Sequence, residues 1–185
     1  MNVKDMLRQA SDAAKQLITL SDQTIIGILK ETAQVLRTHT EEVLAANRQD
    51  LERMDPANPK YDRLKLTEER LQGIAADMEN VSTLPSPLNK VLSETTRPNG
   101  MVIRKVTVPF GVIGVIYEAR PNVTFDVFSL CFRSGNVCVL KGGSDADFSN
   151  RALVRIIHSV LERQGINPAV CTLLPPDREA TAELL

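Results

Sequence analysis

Two short polar stretches of the sequence hold residues that could bind and orient a ligand. The first contains Glu118, Arg120 and Asn122, and the second consists of Lys141, two glycines and Ser144. An arginine binds carboxylate or phosphate through two parallel hydrogen bonds, and an asparagine amide can donate to a developing oxyanion. A lysine beside two glycines offers a positive charge where the backbone can approach a ligand closely. These residue types indicate a site for a ligand that carries negatively charged oxygens.

Each stretch also has a purely structural explanation. Arg120 could pair with Glu118 or Asp126, and Asn122 could cap a helix through Thr124. The two glycines could simply bend the chain and leave the neighbouring lysine in solvent. The sequence contains neither G-x-G-x-x-G nor G-x-x-x-x-G-K-[ST], the two standard phosphate-binding fingerprints. The residues alone therefore leave both explanations open.

A strand, a helix and a second strand are predicted to position these residues. The run VIGVIY at 112–117 is β-branched and nearly continuous, which predicts a strand buried on both faces. After it, apolar residues recur at helical spacing, with two phenylalanines alongside this stripe; the stripe is Val123, Val127, Leu130 and Cys131, and the phenylalanines are Phe128 and Phe132. A second buried strand is predicted at 137–140. Gly111 and Gly114 leave little bulk in the first strand, where another backbone may pass closely.

The pattern continues with an amphipathic helix at 150–164 and a short apolar strand at 170–174. Together these elements form a βαβαβ unit, which is half of a doubly wound nucleotide-binding sheet. Ligands of such sheets bind beyond the carboxyl ends of the strands, and both polar stretches follow strand ends. Earlier in the chain, the periodicity and capping residues predict helices at 2–18, after Ser21, at 41–54 and after Thr67.

A β-hairpin is predicted between the helices and the central unit. Its strands are 92–96 and 101–108, and the turn between them is Arg97-Pro98-Asn99-Gly100. A lone hairpin is marginally stable in water, so this one should add to another sheet. The residues do not decide whether that sheet belongs to the same chain or to a partner.

The composition is that of an ordinary globular α/β protein. The 185 residues are 43% apolar and 24% charged, with a net charge of −1. Nothing in this charge favours nucleic acid or an anionic membrane as a partner, and no apolar run approaches the roughly twenty residues that span a bilayer. Cytoplasm is the default location. The cysteines, at 131, 138 and 171, have neither metal-binding nor disulfide spacing, and we expect them to act as small buried hydrophobes.

Several segments resemble the gamma-glutamyl phosphate reductase family (glutamate-5-semialdehyde dehydrogenases) of the aldehyde dehydrogenase superfamily. They are PFGVIGVIYEARPNVTFD, Ser134-Gly135-Asn136, Leu140-Lys141-Gly142-Gly143-Ser144 and Ala45-Ala46-Asn47. The resemblance implies an aldehyde-dehydrogenase-like α/β fold. It further implies an N-terminal helical part of the cofactor-binding domain at 1–90, a hairpin oligomerisation arm at 91–108 and a Rossmann-like half at 109–185. A further helix is predicted to begin at 177, and the sequence stops at 185 with no cap or polar tail, so we expect the catalytic cysteine domain to follow beyond residue 185.

The resemblance also implies an oxidoreductase of proline biosynthesis. Its reaction is the NADPH-dependent reduction of L-glutamyl 5-phosphate to L-glutamate 5-semialdehyde and phosphate, with this chain as the cofactor-binding part, inactive alone. The implied cofactor residues are Lys141, Gly142, Gly143 and Ser144. Ser144 stands where NAD-using relatives often carry a glutamate, and this favours NADP because a carboxylate would repel a 2′-phosphate.

For the substrate, the resemblance implies binding by Arg120 and makes Asn122 a candidate oxyanion donor. The nucleophilic cysteine lies outside the chain, no metal is expected, and a homo-oligomer and a functional link to glutamate 5-kinase are implied. Two alternatives remain at this point: a noncatalytic nucleotide-binding or oligomerisation module, and another acyl-reducing aldehyde dehydrogenase relative. The Arg120-Pro121-Asn122-Val123-Thr124 turn argues against the second alternative.

Overall fold

The computed structural model describes residues 2–185, so Met1 of the predicted helical part lies outside the described residues. The helices are α1 Val3–Leu17, α2 Asp22–Thr38, α3 Thr40–Leu51, α4 Tyr61–Leu64, α5 Glu68–Thr83, α6 Asn122–Arg133, α7 Asp147–Arg163 and α8 Arg178–Leu184. The strands are β1 Val91–Thr96, β2 Val102–Val106, β3 Val112–Ile116, β4 Val137–Lys141 and β5 Cys171–Leu173. The predicted mixed α/β class is confirmed. Within residues 2–185, none of the helices has both the length and the apolar character needed to cross a membrane.

The N-terminal helices begin where their capping residues predict. The Ser21 hydroxyl accepts a hydrogen bond from the backbone N–H of Thr24 at 3.1 Å, and Thr67 caps α5 in the same way. Helix α3 ends at Leu51, three residues before the predicted end at 54. The reason is that the N–H groups of Arg53 and Met54 bond to carbonyls three residues earlier, which tightens the chain into a turn.

The helical layer packs as one unit with the sheet. Helix α2 lies against α5 and α7, α5 lies against α6, and α3 lies against α7. Many of the largest fully buried side chains come from these helices, among them Ile28, Leu36, Leu71, Met78, Phe125, Phe128 and Phe132. Helix α4 is a single turn between the helices predicted at 41–54 and after Thr67, where Pro56, Asn58, Pro59 and Asp62 predict a loop.

The parallel sheet has the order β3-β4-β5, as the βαβαβ pattern predicts. Strand β4 is buried along its whole length, because α1 and α6 both pack against it. The predicted burial of β3 on both faces is wrong, since Val112 is 40% exposed and Ile116 is 47% exposed. Strand β3 lies at the edge of the sheet, with β4 as its neighbour in the described part of the chain. The neighbour of Gly114 is the side chain of Leu184 in α8, not a passing backbone.

The inward face of helix α6 is shifted from the stripe that its apolar spacing predicts, although Cys131 of that stripe is buried. Leu130 belongs to the predicted stripe but is 54% exposed, whereas Phe125, Phe128 and Phe132 are buried. The three rings bury more apolar area than the aliphatic residues of the predicted stripe, so they decide which face meets the core.

The predicted hairpin is present, and it projects its apolar side chains into solvent. Strands β1 and β2 pair antiparallel, with Thr96 opposite Val102, and Gly100 in the turn has a φ of +82° that favours glycine. Every residue of both strands is exposed. Within residues 2–185 no third strand pairs with the hairpin, so its addition to a partner sheet stays a prediction.

Candidate active site

Lys141 ends β4 with its side chain folded into the protein. The residue is only 8% exposed, and its ammonium donates to the carbonyls of Gly142 at 3.2 Å and Pro176 at 3.1 Å. No carboxylate among residues 2–185 forms a salt bridge with this ammonium. A buried charge without a counter-ion is costly, so the remaining N–H of Lys141 is well suited to an oxygen-rich or anionic ligand.

The two glycines after Lys141 are accounted for by packing within the chain. A Cβ atom on Gly142 would lie 2.3 Å from Nδ2 of Asn150, so a side chain there would displace the Asn150 amide. A Cβ atom on Gly143 would lie 3.7 Å from Cα of Glu118, an ordinary contact. Gly142 therefore serves the close approach of a side chain of this protein, and its predicted contact with a ligand remains a prediction.

A buried hydrogen-bonded chain joins this loop to the start of α6. Asn150 Oδ1 accepts from the hydroxyl of Thr124 at 3.1 Å, and that hydroxyl is 2.7 Å from the Tyr117 hydroxyl. Burial raises the pKa of Tyr117 well above its ordinary value, so its phenol stays neutral and able to donate. Because the N–H of Tyr117 also bonds to the carbonyl of Lys141 at 3.1 Å, the two polar stretches are held side by side.

Ser144 lies at the surface beside a cation that the sequence analysis missed. The carbonyl of Ser144 accepts from Arg53 at 3.2 Å, and Arg53 also donates to Asp50 at 2.5 Å. The Arg53 guanidinium lies 4.6 Å above the centre of the Phe148 ring. Its position is therefore set by three contacts, which leave it half-exposed next to Ser144.

Asp50 and Asn47 form the base of this arrangement. The buried carboxylate of Asp50 accepts from the N–H of Ser149 at 2.8 Å and from its hydroxyl at 2.6 Å. Asn47 donates to the Ser149 hydroxyl at 3.0 Å and to the Leu64 carbonyl at 2.9 Å. Two side chains of α3 thus hold the first turn of α7 through hydrogen bonds. The Asn in Ala45-Ala46-Asn47 was the available sequence signal, but its partners lie too far along the chain to be predicted.

In the turn before α6, neither Arg120 nor Asn122 makes the contacts that the purely structural explanation predicts. Asn122 is the first residue of α6 and makes no capping bond; its Nδ2 donates to Asp126 at 2.9 Å. Glu118 pairs with Lys60 at 3.3 Å, and Arg120 forms no salt bridge within the described chain. Burial raises the pKa of Asp126, and the hydrogen bond from Asn122 opposes that rise.

Arg120 and Asn122 share a cleft of about 360 Å³ with residues of α4, α5 and the segment between them. The chemistry-bearing side chains are therefore brought together in two neighbouring places, the end of β3 and the end of β4. A larger cleft, of about 530 Å³, lies between α1, α7 and β5 and contains none of the predicted site residues.

The three cysteines lie in the core. All are buried, and Cys138 pairs with Cys171 in the register of β4 and β5. Burial raises the pKa of Cys131 to about 12, and a hydrogen bond with Cys171 together with burial raises that of Cys138. Thiols with raised pKa values are poor nucleophiles at neutral pH, which agrees with the structural role expected of them.

Comparison with known proteins supports the resemblance described above. No protein-family model matches the sequence. The chain is 99% identical, over all 185 residues, to the gamma-glutamyl phosphate reductase of Parabacteroides distasonis, and it covers 45% of that protein. The crystal structure of the gamma-glutamyl phosphate reductase from Thermotoga maritima superposes on the whole chain with a TM-score of 0.94 at 31% identity, and the chain covers 45% of it.

A probable aldehyde dehydrogenase from Listeria monocytogenes has a TM-score of 0.74 at 17% identity, with 98% of this chain and 38% of that one covered. This likeness shows an aldehyde-dehydrogenase-like fold and nothing finer. The chain spans less than half the length of the curated relatives it matches. The predicted resemblance is confirmed, and it extends over the N-terminal part of those relatives.

Proposed function

We propose, from the match of the whole chain to the N-terminal part of gamma-glutamyl phosphate reductases, that the protein reduces L-glutamyl 5-phosphate to L-glutamate 5-semialdehyde and phosphate with NADPH. In this proposal the chain supplies the cofactor-binding part, and the nucleophilic cysteine comes from the part of the protein that its longer relatives carry in addition. The observation that carries the proposal is the buried Lys141 ammonium, which has hydrogen-bond capacity left at the end of a parallel strand.

The residues at the end of β4 fit a nicotinamide dinucleotide. Lys141 can donate to a ribose hydroxyl, because its ammonium has three N–H groups and only two of them are used within the chain. Ser144 is exposed and lacks the carboxylate that would repel a 2′-phosphate. Arg53, which is paired with the buried Asp50, places its half-exposed guanidinium at the same small cleft, which Asp145 lines as well. When bound, the nicotinamide would supply the reducing equivalent to the acyl group.

The turn before α6 would serve the substrate. Arg120 has no ion-pair partner in residues 2–185, so its guanidinium is free to bind a carboxylate or phosphate. Asn122 uses one Nδ2 hydrogen on Asp126, which fixes the amide and leaves the second hydrogen for an oxyanion. An orienting partner of this kind is what an oxyanion donor needs, because a fixed dipole requires no reorganisation during the reaction.

The decisive experiment is cofactor titration of the full-length P. distasonis reductase, which carries this chain at 99% identity. Ser144→Glu places a negative charge beside the expected 2′-phosphate, which costs about 1–3 kcal/mol at intermediate dielectric. We expect the ratio of NADPH to NADH affinity, measured by fluorescence titration, to fall roughly ten- to a hundredfold. Lys141→Ala should weaken both cofactors, and NADPH more strongly.

Ser144→Ala is the matched control, because it removes the hydroxyl without adding a charge. It should leave the preference for NADPH largely intact. An unchanged affinity ratio in Ser144→Glu would mean that the adenosine end binds elsewhere, and the cofactor site proposed here would then be wrong.

A further inference from the structure

The cleft between α5 and the start of α6 has an unusual charge inventory. Its lining includes Arg63, Lys65, Asp77, Arg120 and Asn122. With Asp62 and Arg70, which also line the cleft, the charged side chains are four cations and two carboxylates, so the cleft carries a net positive charge. An anionic ligand with one positively charged group would match this inventory.

Most of these charges have no partner within the protein. Among residues 2–185, neither Arg63 nor Arg120 forms a salt bridge with a carboxylate, and Asp77 forms none with a cation. By contrast, Asp62 and Arg70, which also line the cleft, pair with each other at 3.0 Å. The charges that face the cleft and remain unpaired are therefore a distinct set.

The carboxylates near the cleft can be told apart by their partners. Asp126 is half-buried and holds the amide of Asn122, as described above. Burial raises the pKa of Asp126, the Asn122 hydrogen bond lowers it, and the negative charge of Asp77 raises it further. Asp77 lines the same cleft as Asn122. Asp62 is engaged by Arg70, so Asp77 is the carboxylate left to meet a cationic group of a ligand.

We propose that this cleft binds the amino-acid end of the substrate, with Asp77 as the residue that recognises its α-ammonium group. This inference rests on the proposed function, and it adds a specificity-determining residue to it. L-glutamyl 5-phosphate carries one ammonium, one carboxylate and one phosphate, a set that complements one aspartate with Arg63 and Arg120. A site built around a charged substrate group rejects analogues that lack it, because its own charge is then left unpaired.

The test compares two aldehydes in the oxidative direction, with NADP⁺ and inorganic phosphate and the full-length P. distasonis reductase. L-glutamate 5-semialdehyde carries the α-ammonium group, and 5-oxopentanoate is the same aldehyde without that group but with the carboxylate retained. Asp77→Asn should lower kcat/KM for the amino substrate roughly ten- to a hundredfold, mainly through KM, because charge-assisted hydrogen bonds are among the stronger ones. For 5-oxopentanoate, kcat/KM should stay within about twofold or rise.

Asp62→Asn is the matched control, since Asp62 lines the same cleft but is paired with Arg70. It should change the two substrates equally. Asp77→Glu keeps the charge and should restore part of the discrimination, and NADPH affinity measured by fluorescence should be unaltered in each variant.

Equal losses for both aldehydes in Asp77→Asn would show a structural role and overturn the inference. No change for either aldehyde would also overturn it, while the reaction proposed above would still stand if the unmodified enzyme oxidises the semialdehyde. Failure of the unmodified enzyme to use L-glutamate 5-semialdehyde would overturn the proposed function, and this inference with it.

Discussion

The two sheets of this chain use similar residues in opposite surroundings. In the parallel sheet, Val137 to Leu140 of β4 have no exposed surface, because helices cover the strand. In the hairpin, Leu92 is 59% exposed and Ile103 is 44% exposed. Apolar and β-branched residues therefore predict strands in both places, but they do not predict which strands are buried.

The burial of a strand therefore depends on what packs beside it. The hairpin has no covering layer within residues 2–185. Exposed apolar side chains on an isolated two-stranded sheet are costly and prone to association. Addition of the hairpin to a partner's sheet, as predicted, would remove that cost. The following changes test the contrast, from the largest expected effect to the smallest.

Leu140→Ala should be the most damaging of these changes. Leu140 is fully buried in β4, and truncation of such a side chain costs about 2–5 kcal/mol through lost burial and the cavity left behind. Ile103→Ala should cost less than about 0.5 kcal/mol at protein concentrations too low for self-association. Urea unfolding of the full-length P. distasonis reductase measures both. Equal losses would show that the hairpin is packed within its own chain and would remove the contrast between the sheets.

Changing Leu92 and Ile103 together to lysine should weaken self-association and leave the monomer intact. Each apolar side chain buried at an interface contributes on the order of 1.5 kcal/mol or more, so the dissociation constant should rise at least about tenfold. Sedimentation of the full-length protein gives the result. Ile18→Lys, a change at an equally exposed apolar residue of the segment after α1, is the control and should have no such effect. An unaltered oligomer in the double variant would favour an edge hairpin within the monomer.

The smallest effect concerns a buried thiol beside the parallel sheet. Burial raises the pKa of Cys131 from 9.0 to about 12, so the folded protein holds a proton that the unfolded chain releases. The resulting contribution to stability is complete below about pH 9 and declines as the pH rises toward about 12. Cys131→Ala should cost about 1 kcal/mol at neutral pH and should flatten this decline. Urea unfolding near pH 8 and pH 10.5 compares the two proteins, and an identical pH dependence would contradict the assignment.

Local sequence determined much of the fold. Ser21 and Thr67 begin their helices because each cap bonds to an N–H three residues away, a relation contained in a few neighbouring residues. The hairpin turn and the βαβαβ order follow for the same reason, since turn residues and apolar periodicity act over short distances. The segments that carry Arg120 and Lys141 could therefore be placed at strand ends from the sequence alone.

The surroundings of those residues were decided by the tertiary structure. Asp50 binds Ser149 across 99 positions of the chain, and Arg53 reaches Ser144 across 91, so no local pattern records either contact. The choice of Asp126 as the partner of Asn122, the rotation of α6 toward its phenylalanines and the exposure of β3 likewise depend on which surfaces meet. Periodicity and capping are local properties of the chain, whereas burial and charge pairing arise only when distant segments pack together.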